Sequence, residues 1–107
     1  MCKIMHGTIL IVNLSLLIMS ASYAAGNPEQ GKLKAGTCLG CHGIPSYTNA
    51  YPTFHAPRLG GQYGDYIVAA LKAYRAGERN DHTMQAQAAK SSLEEMADIG
   101  AYFESLQ

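Results

Sequence analysis

The feature that most constrains this chain is a C-x-x-C-H string at residues 38–42. Two thiols three positions apart on a helical turn can each form a thioether with one vinyl group of a haem, and this spacing is the attachment signature of c-type haem. A histidine directly after the second thiol is held under the iron, where it can serve only as the proximal axial ligand. The string therefore predicts one covalent haem c with its iron, bound through Cys38, Cys41 and His42.

Three other interpretations of the cysteine pair are weaker. A thioredoxin-like redox pair needs a βαβ pattern around it, and the sequence shows none. A structural zinc site needs four ligands, and the sequence contains no second cysteine pair. A disulfide across so short a loop would restrain little of the chain.

The composition allows one domain and gives no sign of nucleic-acid binding. The chain has 107 residues, and its eight Lys and Arg balance eight Asp and Glu. It therefore has no excess of positive charge for a phosphate backbone. A core this small is marginal alone, so a large and mostly apolar haem would supply much of what the protein buries.

The N-terminal stretch is typical of an export signal. Lys3 makes a weakly positive start, residues 8–19 form a mostly apolar run of 12 residues, and small residues follow. Cleavage is predicted after Ala24, with Ala25 as the alternative. An uncleaved membrane anchor is disfavoured because a span needs about 20 apolar residues.

This signal divides the chain into a signal peptide, residues 1–24, and one mature domain, residues 25–107. Haem c is attached outside the cytoplasmic membrane, so the signal and the haem motif both indicate the periplasm. We expect no membrane span in the mature form. Loss of Lys3 with the signal would leave seven basic and eight acidic side chains.

A first helix is predicted from Pro28 to about Cys38, with the haem string on its last turn. Asn27 is a suitable N-cap, and a proline at the first helical position loses no hydrogen bond. Gly31 in mid-helix costs about 1 kcal/mol relative to alanine. We therefore expect another backbone to pass close to Gly31.

Two more helices are predicted nearer the C-terminus, over residues 65–76 and from Ser92 to about Leu106. Gly77 is a suitable stop for the former. The latter begins with a capping box in which Glu95 reaches back to Ser92. Its apolar stripe consists of Leu93, Met96, Ile99, Gly100, Phe103 and Leu106.

The remaining segments carry weaker signals. Residues 43–61 contain three prolines and a glycine pair, which predicts a long loop that wraps or binds something. Residues 79–84 are predicted as a turn, followed by a weak helical signal over 85–89. No stretch shows sustained strand alternation, so the fold is predicted to be all-α, with three to four short helices wrapped around one haem.

The chain resembles class I c-type cytochromes, especially the small bacterial monohaem proteins and the single-haem halves of the di-haem c-four type. The resemblance covers essentially all of residues 26–107. It rests on the C-x-x-C-H string, the segment Pro57-Arg58-Leu59-Gly60-Gly61-Gln62, a methionine before the last helix, and residues 97–103 within that helix.

The resemblance implies roles for several residues. The carbonyl of Pro57 would accept a hydrogen bond from the second ring nitrogen of His42, which fixes the tautomer of the ligand. Leu59 would pack on the haem, and Gly31 would lie where the first helix crosses the last. Arg58, Gln62 and Tyr63 either reach the haem propionates or form a polar loop surface.

Met84 is expected to be the second axial ligand. It is the only methionine between the haem string and the last helix, and it stands where the family has its axial methionine. Met96 falls in an apolar stripe and is expected to be a core residue. His82, His55 or an open sixth position remain as alternatives.

Ligation by His42 and Met84 would raise the reduction potential and leave no iron position for a substrate. The chain is therefore predicted to be a periplasmic electron carrier rather than an enzyme, a monomer or small subunit. Its partners would be a donor dehydrogenase or reductase and an acceptor oxidase or reductase. The alternatives are an electron-accepting subunit of a periplasmic dehydrogenase complex, and a haem enzyme or sensor with an open sixth site.

Overall fold

The computed structural model describes residues 25–51 and 53–106, so the predicted signal peptide lies outside the described residues. The described part contains five helices and, instead of a sheet, a single antiparallel bridge between Thr48 and His55. The helices are α1 (Pro28–Lys34), α2 (Gly36–His42), α3 (Gly64–Arg75), α4 (His82–Ala89) and α5 (Leu93–Glu104). The all-α prediction is confirmed, but the described residues form five helices where three to four were predicted. Within the same residues, no helix is both long enough and apolar enough to cross a membrane.

The single N-terminal helix that the sequence predicts is two short helices in the structure. Asn27 caps α1 as expected, its side-chain oxygen accepting the N–H groups of Glu29 at 2.9 Å and Gln30 at 3.2 Å. At the buried Ala35 the ψ angle is 0°, and the N–H of Cys38 bonds to the Ala35 carbonyl only three residues back. This tighter turn separates α1 from α2, so the C-x-x-C-H string occupies the last five of the seven residues of α2.

The ends of α3 and α5 agree with the sequence patterns. Gly77 has a φ of +77°, and the N–H of Glu78 reaches the Ala73 carbonyl at 2.9 Å, which is a Schellman-type stop. At the start of α5 the Ser92 hydroxyl accepts the Glu95 N–H at 3.1 Å, and the Glu95 carboxylate accepts the Ser92 N–H at 2.8 Å. The predicted capping box is confirmed.

The turn predicted over residues 79–84 is wrong in its second half, because α4 begins at His82. The physical reason is the side chain of Asp81, whose Oδ1 accepts the N–H of Met84 at 2.8 Å and so caps the helix. Met84 therefore lies in the first turn of a helix and not in a loop.

The core is built on α5. Both α1 and α3 pack against this helix, and α4 packs against α3. Met96 is fully buried, which confirms it as a core residue, whereas Leu93 and Leu106 at the ends of the stripe are 44% and 41% exposed. The buried hydrophobic residues are Ala35, Ile67, Leu71, Ala88, Met96, Ile99 and Phe103.

Two glycines allow backbones to touch along α5. A Cβ on Gly31 would collide with the carbonyl oxygen of Asp98 and lie 2.8 Å from Cβ of Tyr102. A Cβ on Gly100 would lie 2.7 Å from the carbonyl oxygen of Gly64 at the start of α3. The close approach expected at Gly31 is confirmed, and it brings α1 against α5.

An ion pair strengthens the same crossing. Asp98 is 5% exposed, and its carboxylate accepts hydrogen bonds from Lys34 Nζ at 2.6 Å and from the Asn27 N–H at 2.7 Å. The Lys34 ammonium and then the Asn27 amide hold the pKa of Asp98 below its usual range, and Asp98 raises the pKa of Lys34. Both ends of α1 are thereby joined to one carboxylate of α5.

Substitution of Gly31 by alanine tests the backbone contact. G31A is expected to lose about 1 to 3 kcal/mol of stability, because its methyl group meets backbone atoms that cannot rotate away. The loss is measured as a lower midpoint in thermal unfolding. The matched control is G36A, since a Cβ on Gly36 meets nothing within 4 Å. That variant should be neutral or gain up to about 1 kcal/mol, and equal losses in both variants would contradict the crossing.

The ion pair predicts a pH-dependent difference between the wild type and D98N. The folded-state pKa of Asp98 is lowered, so its contribution to stability is present at neutral pH and is lost as the pH falls through that folded value. D98N should be less stable than wild type at pH 7 and should approach it below about pH 4. Urea unfolding at several pH values measures this.

A second carboxylate provides the control for that experiment. Glu78 is exposed, so E78Q should follow the wild type at every pH. If D98N is less stable than the wild type by the same amount from neutral to acid pH, the charge of Asp98 does not contribute to stability.

Candidate functional site

A cavity of about 350 Å³ contains all four predicted site residues. Cys38, Cys41 and His42 reach it from α2, and Met84 reaches it from α4. The other walls come mainly from α3 and the loop after α2, and α5 contributes Ile99. Apolar residues on these walls include Phe54, Leu59, Ile67, Ala70, Leu71 and Ile99. This size and lining are typical of a site for a mostly apolar cofactor.

One hydrogen bond fixes the imidazole of His42. Its Nδ1 lies 2.6 Å from the carbonyl oxygen of Pro57. A carbonyl can only accept, so Nδ1 carries the proton and Nε2 keeps its lone pair free for a metal. The contact that the resemblance implies is therefore present, and it orients the ring.

Backbone contacts within the loop place Pro57 beside His42. The N–H of Ala56 bonds to the carbonyl of Tyr47 at 2.9 Å, and the N–H of Asn49 bonds to the carbonyl of Phe54 at 2.9 Å. A hydrogen bond to Cys41 raises the pKa of the Tyr47 phenol, so this loop also contacts α2. The described residues of this segment thus contribute one wall of the cavity.

Two observations disfavour the competing interpretations of the cysteine pair. Neither forms a disulfide in this structure, and burial raises the pKa of Cys38. A raised pKa keeps this thiol protonated, which is the opposite of what a reactive thiolate requires. Among the residues that the structure describes, no group of three or more His, Cys, Asp or Glu side chains could hold a metal ion. A thioredoxin-like site and a zinc site are both disfavoured.

The structure separates the candidates for the second axial ligand. Met84 is half-buried, packs against the core and lines the cavity. His55 also lies on the cavity wall, with an exposed side chain. His82 is exposed and is not part of the wall.

The polar side chains at the cavity differ from those that the sequence suggests. Arg58, Gln62 and Tyr63 do not line it, and the basic side chains on its wall are Lys34 and Arg79. No motif singles out Arg79, because its place depends on the turn after α3. Lys34 lies on a helix face that only the packing of α1 identifies.

An all-helical fold with a C-x-x-C-H string on a cofactor-sized cavity defines a protein of the c-type haem class. No family model matches the chain. Cytochrome c-554(548) of Halomonas halodenitrificans is 40% identical over 84 residues, which are 76% of this chain and 98% of that protein. Cytochrome c4 of Pseudomonas aeruginosa is 34% identical over 86% of this chain and 44% of its own length.

A third relative is named for its redox partner. The "thiosulfate dehydrogenase electron acceptor" of Thiomonas intermedia is 31% identical over 81% of this chain and 37% of its own length. The chain therefore spans nearly the whole length of the first relative and less than half the length of each of the other two. It belongs to the class I c-type cytochromes.

Membership in this family establishes the cofactor and the activity. The cofactor is covalent haem c with its iron, and the activity is electron transfer. The residues present fit this group: the cavity offers two thiols, an imidazole with a free Nε2, and apolar walls.

Proposed function

We propose that the protein is a periplasmic carrier of single electrons with one haem, joined to Cys38 and Cys41 and ligated by His42 and Met84. The observation that carries the proposal is that these four side chains, from two separate helices, line one cavity. The sequence contains a single C-x-x-C-H string, which supports one haem per chain. Residues 1–24 would be the signal peptide and residues 25–107 the mature cytochrome domain.

The bound haem supplies a reversible one-electron change between ferric and ferrous iron. His42 presents Nε2 to the iron, and the hydrogen bond to Pro57 strengthens it as a donor. The thioether of Met84 favours the ferrous state and raises the reduction potential. Because both axial positions are then filled by the chain, no position is left for a substrate, which supports a carrier and not an enzyme.

Partners would dock where the loop after α2 exposes apolar side chains. Ile44 lies two residues from His42 and is 50% exposed, while Phe54 lines the cavity and is 51% exposed. Apolar surface at such a place suits a small and short-lived contact with a donor dehydrogenase or reductase, or with an acceptor oxidase or reductase. Nearly equal numbers of acidic and basic side chains predict a weak dependence of docking on salt.

A second candidate is a permanent electron-accepting subunit of a dehydrogenase. It is favoured by the similarity to the thiosulfate dehydrogenase electron acceptor, over 81% of this chain. Gel filtration of the protein from its native host distinguishes the two roles. A free carrier elutes as a small monomer, and a subunit elutes with its enzyme.

Replacement of Met84 tests the proposed ligation. M84A should still carry covalent haem but lose the methionine–iron charge-transfer band, because the iron has lost its sulfur ligand. Its reduction potential should fall. Absorption spectroscopy and redox titration of periplasmically expressed protein measure both effects.

Three matched variants complete this experiment. H82A should match the wild type because His82 lies outside the cavity wall, and H55A tests the histidine that is on it. M96L replaces the core methionine at similar volume and should keep the band. If M84A keeps the band, Met84 is not the ligand, and loss of the native spectrum in H55A would assign His55 instead.

A further inference from the structure

The two basic side chains on the cavity wall differ in how their charge is balanced. Lys34 is paired with Asp98 at 2.6 Å. Arg79 forms no ion pair within residues 25–51 and 53–106. The nearest acid in sequence, Asp81, also lines the cavity, but its Oδ1 accepts the N–H of Met84. One unpaired cation therefore stands on a mostly apolar wall.

Several contacts hold Arg79 in place. Its guanidinium carbon lies 4.6 Å from the centre of the Tyr74 ring, a cation–π contact, and Tyr74 packs against the core. The N–H of Arg79 bonds to the Ala73 carbonyl at 3.3 Å, and its own carbonyl accepts the Gln85 side-chain amide at 3.0 Å. These two hydrogen bonds fix the main chain of Arg79, and the Tyr74 ring contacts its exposed guanidinium. This partial positioning reduces the entropy lost on binding.

Haem carries two propionate carboxylates, and a carboxylate at the edge of an apolar cavity needs a charged or polar partner. Arg58, Gln62 and Tyr63, the side chains that the sequence suggests for this role, do not line the cavity. We propose that the guanidinium of Arg79 binds one haem propionate. This inference rests on the proposed function, because it takes the haem to occupy this cavity.

The proposed contact has two electrostatic consequences. A guanidinium beside a carboxylate lowers the pKa of that carboxylate. A positive charge near the iron also favours the ferrous state and raises the reduction potential. The other titratable or charged groups on the cavity wall are Lys34, Cys38, Cys41, His42, His55, Tyr66, Tyr74 and Asp81. These groups stay the same when Arg79 alone is replaced.

The test compares holoprotein of the wild type, R79Q, R79K and R58Q, prepared from the periplasm. Midpoint potentials are measured from about pH 4 to pH 9, where propionates and histidines titrate. In R79Q the pH at which the potential inflects should rise by about one unit or more, since the propionate has lost its partner. The potential on the alkaline side of the inflection should be lower than in wild type.

The other two variants separate a specific contact from a general charge effect. R79K keeps the charge without the planar fork, so its inflection should lie between those of wild type and R79Q. R58Q removes the same charge from an exposed loop residue outside the cavity wall and should match the wild type. An unchanged inflection in R79Q, or a shift in R58Q without one in R79Q, would overturn the proposal.

Two further readouts make every result decisive. The methionine–iron band should persist in R79Q, and its absence from the wild type would refute the proposed ligation and not the role of Arg79. If R79Q yields no holoprotein, the wild type is labelled with ¹⁵N. The Nε–H signal of Arg79 should then shift with pH at the inflection of the potential, and a signal that does not shift there would overturn the proposal.

Discussion

The fold is organised around an apolar cavity. In a larger protein, buried side chains would fill this space. Within the described residues, the two large side chains that are fully buried are Phe103 and Met96. Burial of apolar area is the main source of folding free energy, and so small a core supplies little of it. On the proposed function, haem in this cavity supplies the contacts that the apolar walls lack. The cofactor is therefore a structural part of this cytochrome as well as its redox centre.

The helix α5 organises the elements around that space. Gly31 brings α1 into backbone contact with Asp98, and the same carboxylate holds Lys34 and the amide of Asn27. This crossing fixes the end of α1, from which α2 carries the cysteines and the histidine to the cavity. Of the two basic side chains on the cavity wall, Lys34 is paired with Asp98, and Arg79 is the one that we propose for the haem propionate.

Local signals were enough to predict much of the architecture. Three features were predicted because the residue type itself indicates the local geometry. They are the capping box at Ser92, the helix stop at Gly77 and the close contact at Gly31. The C-x-x-C-H string was also identifiable, because haem attachment requires fixed spacing. Met84 was expected from the family resemblance, and it lies on the cavity wall. The bond between His42 and Pro57 followed from the family resemblance and is present in the structure.

The features that escaped prediction depend on contacts between distant segments. The break at Ala35 occurs at a residue that is completely buried by packing. The helix α4 is short and polar, so its start was visible only in the cap that Asp81 provides. Arg79 becomes a candidate ligand for haem only when the turn after α3 places it on the cavity wall.

The central claim is that the chain itself closes both axial sides of the iron. The most direct measurement is the absorption spectrum of the ferrous wild-type protein at neutral pH, before and after carbon monoxide is added. With the imidazole of His42 and the thioether of Met84 both bound, the spectrum should not change. Conversion to a carbon monoxide adduct in the unperturbed protein would contradict the account.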